Sequence, residues 1–365
     1  MINVHTHIFT TRHVPVNFLP WFIKPIANFA VKKWMVNLLR IIGLKSSSYL
    51  VNKFLNFKKI GELKSQEEIF KHLSGFYPSE TGLVALSMDM EYMGAGKVPE
   101  PYDQQLDDLV KLKNQYPNDE YPYSIHPFIF AHPERPNILD LVKEHIEEHN
   151  FSGIKLYPAL GYFPYDPRLE KVYEYAETNQ IPVMTHCTRG GVYYQGRLTK
   201  ERRTDPRTNE TYPKKSNKDF TDIYSDPNRY IELLNDFPKL KLCFAHFGGA
   251  GEWDTFLSGS WHDKAKESWF WKVKEIVCNE NWNTYTDVSY TLSDPKYYAT
   301  LKSFLSSNER LRKRVLFGSD YYMTEQEVSE RAFGINLSGF LGDTLWHQIA
   351  DTNPQTFLNS KINQL

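Results

Sequence analysis

The chain has 365 residues, 41% hydrophobic and 24% charged, with a net charge of −1. These proportions exclude an intrinsically disordered or low-complexity chain, and the length makes either two average domains or one large α/β barrel. The aromatic share of 15% is high and suggests large packed insertions, while three scattered cysteines, Cys187, Cys243 and Cys278, exclude a disulfide framework and fit a reducing compartment.

In chain order, eight strands are predicted at 2–7, 83–89, 123–130, 153–158, 181–186, 240–246, 284–290 and 315–319. Most are continuously apolar, as strands buried on both faces are. Helical patterns lie between several of them, at 102–115, 138–148, 167–178 and 228–236, with Asp-Pro pairs at 166–167 and 226–227 marking helix starts. Eightfold alternation of strand and helix predicts a (β/α)₈ TIM barrel in one domain over 1–365, with no internal repeat and no linker to a second domain.

Two connections, 8–80 and 187–227, are too long for simple barrel loops. Each follows a strand's C-terminal end, the active-site face of a parallel barrel, and is expected to form the rim or lid of a pocket. The first carries an apolar stripe at Phe22, Ile26, Phe29, Ala30, Trp34 and Leu38 at helical spacing, read as a cap on the barrel; a membrane-surface helix is the sharper alternative. Lys24, Pro25, Lys32, Lys33 and Arg40 interrupt it too often for a bilayer crossing. Residues 1–61 hold nine Lys and Arg and no Asp or Glu, and 187–227 adds Arg189, Arg197, Lys200, Arg202, Arg203 and Arg207. A rim of one sign predicts a carboxylate- or phosphate-bearing small molecule. No nucleic-acid module is present, and membrane contact is not expected. The first strand starts at Ile2 and leaves no room for a leader, so the expected address is cytoplasmic.

The chemistry lies at the strand ends. His5 and His7 are two apart on a strand and therefore point to one side, about 6–7 Å apart, as two ligands of one metal would. Short apolar runs then end on His186, on His246 before Phe247-Gly248-Gly249, and on Gly318-Ser319-Asp320, and Lys155 lies within Gly153-Ile154-Lys155-Leu156-Tyr157-Pro158. Neutral imidazoles with a carboxylate suit a borderline divalent cation such as zinc and leave a position open for a water that ionises near neutral pH. Taken singly, each residue has a bland reading: a structural histidine, a capping aspartate, a solvated lysine, or, for Gly248-Gly249, a tight bend in preference to a phosphate cradle. His13, His126, His132 and His262 have no such framing and are read as structural or surface residues, with His13 a candidate for the pocket rim.

In this order the set resembles the amidohydrolase superfamily, and within it the amidohydrolase-related TIM-barrel metal-dependent hydrolases. The resemblance spans nearly the whole chain and includes Asn353-Pro354-Gln355-Thr356-Phe357-Leu358 as a terminal helix. It implies His5, His7 and His186 as ligands and Asp320 as a further ligand and proton acceptor. It implies His246 either as a ligand of a second cation or as a substrate-polarising or proton-transferring residue. Lys155 is either carboxylated and bridges two metals, as in dihydroorotase, or stays unmodified and binds a substrate carboxylate, so one or two ions remain open. The expected activity is hydrolysis of a C–N or C–O bond. A non-oxidative decarboxylase or hydratase on the same scaffold is the alternative, and a membrane-surface or partner-binding scaffold the second one. Homo-oligomerisation is left open.

Overall fold

The computed structural model describes residues 1–18, 59–259 and 263–363. The stripe from Phe22 to Leu38, the lysines from Lys24 to Lys58, and His262 lie outside them. Eight strands, β1 (Ile2–Thr6), β2 (Gly82–Leu86), β3 (Ser124–Phe130), β4 (Gly153–Leu156), β5 (Val183–Thr185), β6 (Leu242–Phe244), β7 (Thr284–Asp287) and β8 (Val315–Leu316), pair in parallel in sequence order. The circle is joined by Val4 N donating to Phe317 O at 2.9 Å and Asp320 N donating to His5 O at 2.8 Å. Helices such as Tyr102–Gln115, Ile138–Glu147, Glu170–Asn179 and Arg229–Asp236 lie between the strands, giving the predicted (β/α)₈ barrel.

Alternation along each strand decides what reaches the interior. Ile154 and Leu156, Val183, and Leu242 and Phe244 pack outward in the shared core with helix residues such as Val142, Ile146 and Leu233. Lys155, Met184 and Cys243 therefore face inward. An inner cluster of Val4, Leu86, Phe128, Met184, Cys243, Tyr285 and Leu316 fills the barrel, and Phe357 and Leu358 of the terminal helix Asn353–Leu358 join it. Burial of each such side chain stabilises by about 1.5–3 kcal/mol.

β1 breaks the alternation. Ile2 and Val4 belong to the inner cluster, which by strict period would send His5 outward. The ladder pairs Asn3 with Leu83 and Thr6 with Ala85, three steps on β1 against two on β2. That extra residue re-aims the chain, so that His5 and His7 both open into the cavity at the barrel mouth. Gly318 makes room for the result, since a Cβ there would lie 2.6 Å from His5 Cβ.

The described parts of the two long connections come together beside the loop after β2, where Gln195 Nε2 donates to Phe18 O at 3.0 Å. Val16 N and Asn17 N donate to Lys97 O and Ala95 O; Gln195 N donates to Met93 O and Tyr194 N to Ala159 O. Among the described residues no helix is long and apolar enough to cross a membrane.

Candidate metal centre

At the C-terminal ends of β1, β4, β5, β6 and β8 all six predicted residues line one cavity of about 180 Å³. His7 Nδ1 lies 2.9 Å from Leu86 O. A carbonyl only accepts, so His7 carries its proton on Nδ1 and turns the Nε2 lone pair to the cavity. His5 Nδ1 faces Asp287 Oδ2 at 2.9 Å, the arrangement in which a carboxylate orients a metal-binding imidazole. Asp320, held at φ +55, completes a group in which His5, His7 and Asp320 each offer a ligand atom within 4.8 Å of the others. Small side-chain shifts would bring all three to the ~2.0–2.2 Å that zinc requires.

His186 stands outside that trio. Its ring stacks on Tyr157 at 4.0 Å and 10°, and its Nδ1 lies 3.2 Å from His246 Nε2. Two nitrogens on one tetrahedral cation are about 3.3 Å apart, so this pair also fits a ligand edge. Rings in series, His7 to His5 at 5.5 Å, His5 to His246 at 4.8 Å and His246 to His186 at 4.9 Å, make one continuous donor surface. His246 is reached by a backbone at φ +68, followed by Phe247, Gly248 and Gly249, all at positive φ. A Cβ on Gly249 would lie 1.9 Å from Thr188 Oγ1, so the glycine pair makes a tight bend there.

Lys155 is fully buried, and its Nζ has no hydrogen-bond partner. Burial pushes its pKa down to about 8 against the pull of Asp287 and Asp320. Burial pushes Asp320 up to about 7, opposed by Lys155. It also lowers His7 to about 3 and holds His5, His186 and His246 well below the usual imidazole range, so all four rings are neutral. Neutral imidazoles, one carboxylate and an unpartnered amine suit a divalent cation.

Asp287, which sequence reasoning passed over, is the centre's internal anchor. It groups geometrically with His5 and His246. Its oxygens already accept from His5 Nδ1, from the backbone N–H groups of His246 and Ser289, and from the Ser289 hydroxyl, which places it to hold the His5 ring and the backbone at His246. Its signal was hidden because Thr284-Tyr285-Thr286 is not an apolar run; the two threonine hydroxyls are satisfied by Ile276 O and Phe244 O. Asn3 was missed as well. Its Oδ1 accepts from His5 N and Ser319 N, both at 3.1 Å, and its Nδ2 donates to Tyr77 Oη and Ser319 Oγ, both at 2.8 Å, tying β1 to β8 directly behind two of the donors.

Elsewhere the histidines hold structure. His13 Nδ1 accepts from Thr10 N, and its Nε2 lies 3.3 Å from Glu100; His126 sits between Ser124 and Ser152; His132 stacks on Tyr92. Among the described residues, three arginines of 187–227 have acidic partners. Arg189 pairs with Glu252 and Asp222, Arg202 with Glu134, and Arg207 with Glu232 and Asp236, while Arg203 donates to Tyr212 O. Of these arginines only Arg189 lines the cavity. A larger hollow of about 860 Å³ beside Arg168, Tyr194 and Arg202 contains none of the metal-capable groups.

The family model for amidohydrolases (Amidohydro_2) matches residues 119–359, from β3 through the terminal helix. No curated protein matches the sequence. Among solved structures, an uncharacterised TIM-barrel protein of Bordetella bronchiseptica is similar at 15% identity and TM-score 0.52, covering 98% of both chains. An amidohydrolase of Burkholderia multivorans with bound HEPES is similar at 10% and 0.54, again over 98% of both. A 5-carboxyvanillate decarboxylase of Novosphingobium aromaticivorans, complexed with manganese and 4-hydroxy-3-methoxy-5-nitrobenzoic acid, is similar at 12% and 0.53 over 98% of this chain and 95% of that one. At these identities the likeness is one of fold, while the family match covers well over half of the sequence: the chain belongs to the amidohydrolase family.

Proposed function

We propose that this protein is a metal-dependent hydrolase that cleaves a C–N or C–O bond in a small carboxylate- or phosphate-bearing molecule. Its cation, read as zinc, is held by His5, His7 and Asp320 with His186; His246 and a carboxylated Lys155 would be added if a second ion is bound. The observation that carries this reading is the grouping of His5, His7 and Asp320 within 4.8 Å in a cavity whose floor also holds an unpartnered lysine. A divalent cation bound there supplies polarisation of a substrate oxygen and a water of lowered pKa.

The residues do the rest. Asp320, buried at the cavity wall beside His5 and His7, is the carboxylate placed to accept the water's proton. His246 carries a proton between water and leaving group. An unmodified Lys155 offers its ammonium to a substrate carboxylate, which puts anion recognition at the cavity floor; Arg189, the one rim arginine at the cavity among the described residues, is already paired with Glu252 and Asp222. Phe9, Met88, Met90 and Tyr322 give the cavity an apolar side that excludes water. The two insertions form its rim. Three free cysteines favour work in the cytoplasm.

The second reading, a non-oxidative decarboxylase or hydratase, draws support from the decarboxylase fold relative with manganese and from the same apolar wall, which suits an aromatic acid. Elemental analysis and a paired screen separate the two. Stoichiometric transition metal with turnover of amides or lactones supports hydrolysis; release of CO₂ from carboxylates without hydrolysis replaces it with the second reading. A folded protein that takes up no metal would leave only a scaffold role.

A further inference from the structure

The turn that follows β7 touches three strand ends of the centre at once. Asp287 Oδ1 accepts from His246 N and Ser289 N, both at 3.0 Å, and from the Ser289 hydroxyl, while Oδ2 faces His5 Nδ1. Thr291 Oγ1 donates to His246 O at 2.7 Å, and Tyr290 N donates to Ser319 O at 3.0 Å, next to Asp320. The turn is tight. Tyr290 sits at φ +56, ψ −49, and Thr291 N reaches back two residues to Ser289 O at 2.5 Å, a positive-φ γ-turn that a bulky residue adopts only when its surroundings impose it.

A proton count through this turn fixes two rings. The Ser289 hydroxyl has one hydrogen, and Asp287 receives it. The oxygen's lone pairs then face His246 Nδ1 at 2.9 Å and His5 Nδ1 at 3.0 Å, where only an N–H can meet them. We propose that Ser289 is a positioning residue which, together with Asp287, fixes the Nδ1–H tautomer of His246 and His5, so that each presents an Nε2 lone pair to the cavity.

Control is unequal between the rings. His5 keeps Asp287 Oδ2 at 2.9 Å whatever happens at residue 289. His246 has as its other acceptor on the Nδ1 side Ser289 O, at 3.3 Å and already bonded to Thr291 N. Removing the hydroxyl therefore releases His246 and spares His5. The consequence for chemistry is that His246 Nε2 enters the cavity as an acceptor, fit to ligate a cation or to take a proton, and donates only after taking one. This role rests on the proposed metalloenzyme reading, but its test does not.

The test is long-range ¹H–¹⁵N spectroscopy of metal-free protein labelled at histidine nitrogen, on wild type, Ser289→Ala and Ser289→Thr, with zinc affinity measured alongside. Wild type should show His5 and His246 both as Nδ1–H. Ser289→Ala should leave His5 unchanged and move His246 toward Nε2–H; where His246 is a zinc ligand, zinc affinity falls about 10- to 100-fold as well. Ser289→Thr, which keeps the hydroxyl, should restore the wild-type pattern. A wild-type His246 found as Nε2–H overturns the proposal even if the alanine variant fails to fold, and so does an alanine variant whose His246 pattern is unchanged, whatever its zinc affinity. Absence of hydrolytic activity would touch the functional reading and leave the tautomer result standing.

Discussion

Lys155 offers the sharpest energetic test of the centre. An amine with no hydrogen-bond partner, fully buried inside the barrel, has its pKa lowered from 10.5 to about 8, net of its attraction to Asp287 and Asp320. The unfolded chain therefore holds the proton more tightly than the folded one. Below about pH 8 the folded protein bears the whole penalty, about 3 kcal/mol at about 1.4 kcal/mol per pKa unit; the penalty fades between about 8 and 10.5 as the unfolded chain loses the proton. Lys155→Met keeps the volume and removes the charge. In metal-free, bicarbonate-depleted protein it should raise unfolding stability by about 3 kcal/mol at pH 8 and by only about half as much at pH 9.5. Lys155 opposes the rise of Asp320 to about 7, so the variant pushes Asp320 higher and the gain at pH 8 is an upper value. Urea unfolding followed by circular dichroism at the two pH values measures both numbers, and the same variant should lose turnover. A variant no more stable than wild type, or a gain equal at both pH values, refutes the idea that Lys155 is a buried amine kept at a cost to stability. Bicarbonate with zinc should raise wild-type activity and leave the variant unchanged if the amine is carboxylated; one metal per chain with an unmodified lysine removes the bridging role.

Three further outcomes are expected. His5→Ala and His186→Ala should lose zinc and activity together, while Asp320→Asn keeps more zinc than either and still loses turnover by about 10²–10⁴-fold; full activity in purified Asp320→Asn contradicts its role as proton acceptor. Asn3→Ala strands two buried backbone donors, His5 N and Ser319 N, at about 1–3 kcal/mol each, so a loss of about 2–6 kcal/mol is expected in denaturant unfolding; a cost under about 1 kcal/mol would mean another acceptor takes its place. Gly318→Ala places a Cβ 2.6 Å from His5 Cβ and should cost about 1–3 kcal/mol and weaken zinc binding while the far-ultraviolet spectrum stays native.

The barrel was legible because its strands are buried on both faces, which writes them as unbroken apolar runs: Ile154 and Leu156 face helices while Lys155 between them faces the interior. Those runs overshoot the ladder. β6 was expected over 240–246 and pairs only over Leu242–Phe244, because the residues beyond it stay buried while the backbone turns away to build the centre. The extra residue in β1 was not legible, since His5 and His7 share a side whether or not it is there; only its register against β2 reveals which side. Nor were the ion pairs of the arginines after β5. Arg202 and Arg189 find their acids at Glu134 and Glu252, 68 and 63 residues away, pairings that sequence order does not announce.

Three features of the centre carry a cost to the fold. His246, Tyr290 and Asp320 sit at φ +68, +56 and +55, a region that side chains with a Cβ avoid, and each such residue costs about 1–3 kcal/mol. Lys155 is an unpartnered amine in a barrel otherwise filled by apolar side chains. Asn3 and Asp287 are fully buried polar groups, tolerated because each is saturated with hydrogen bonds. His246, Tyr290, Asp320 and Lys155 all line one cavity, and Phe357 and Leu358 pack in the barrel's inner cluster. Asn3 and Asp287 stand behind that lining and hold its backbone and rings. Costs of this kind are tolerated where a site is built, and on the function proposed above the network that holds the donors, Asn3, Asp287 and Ser289, matters as much as the donors themselves.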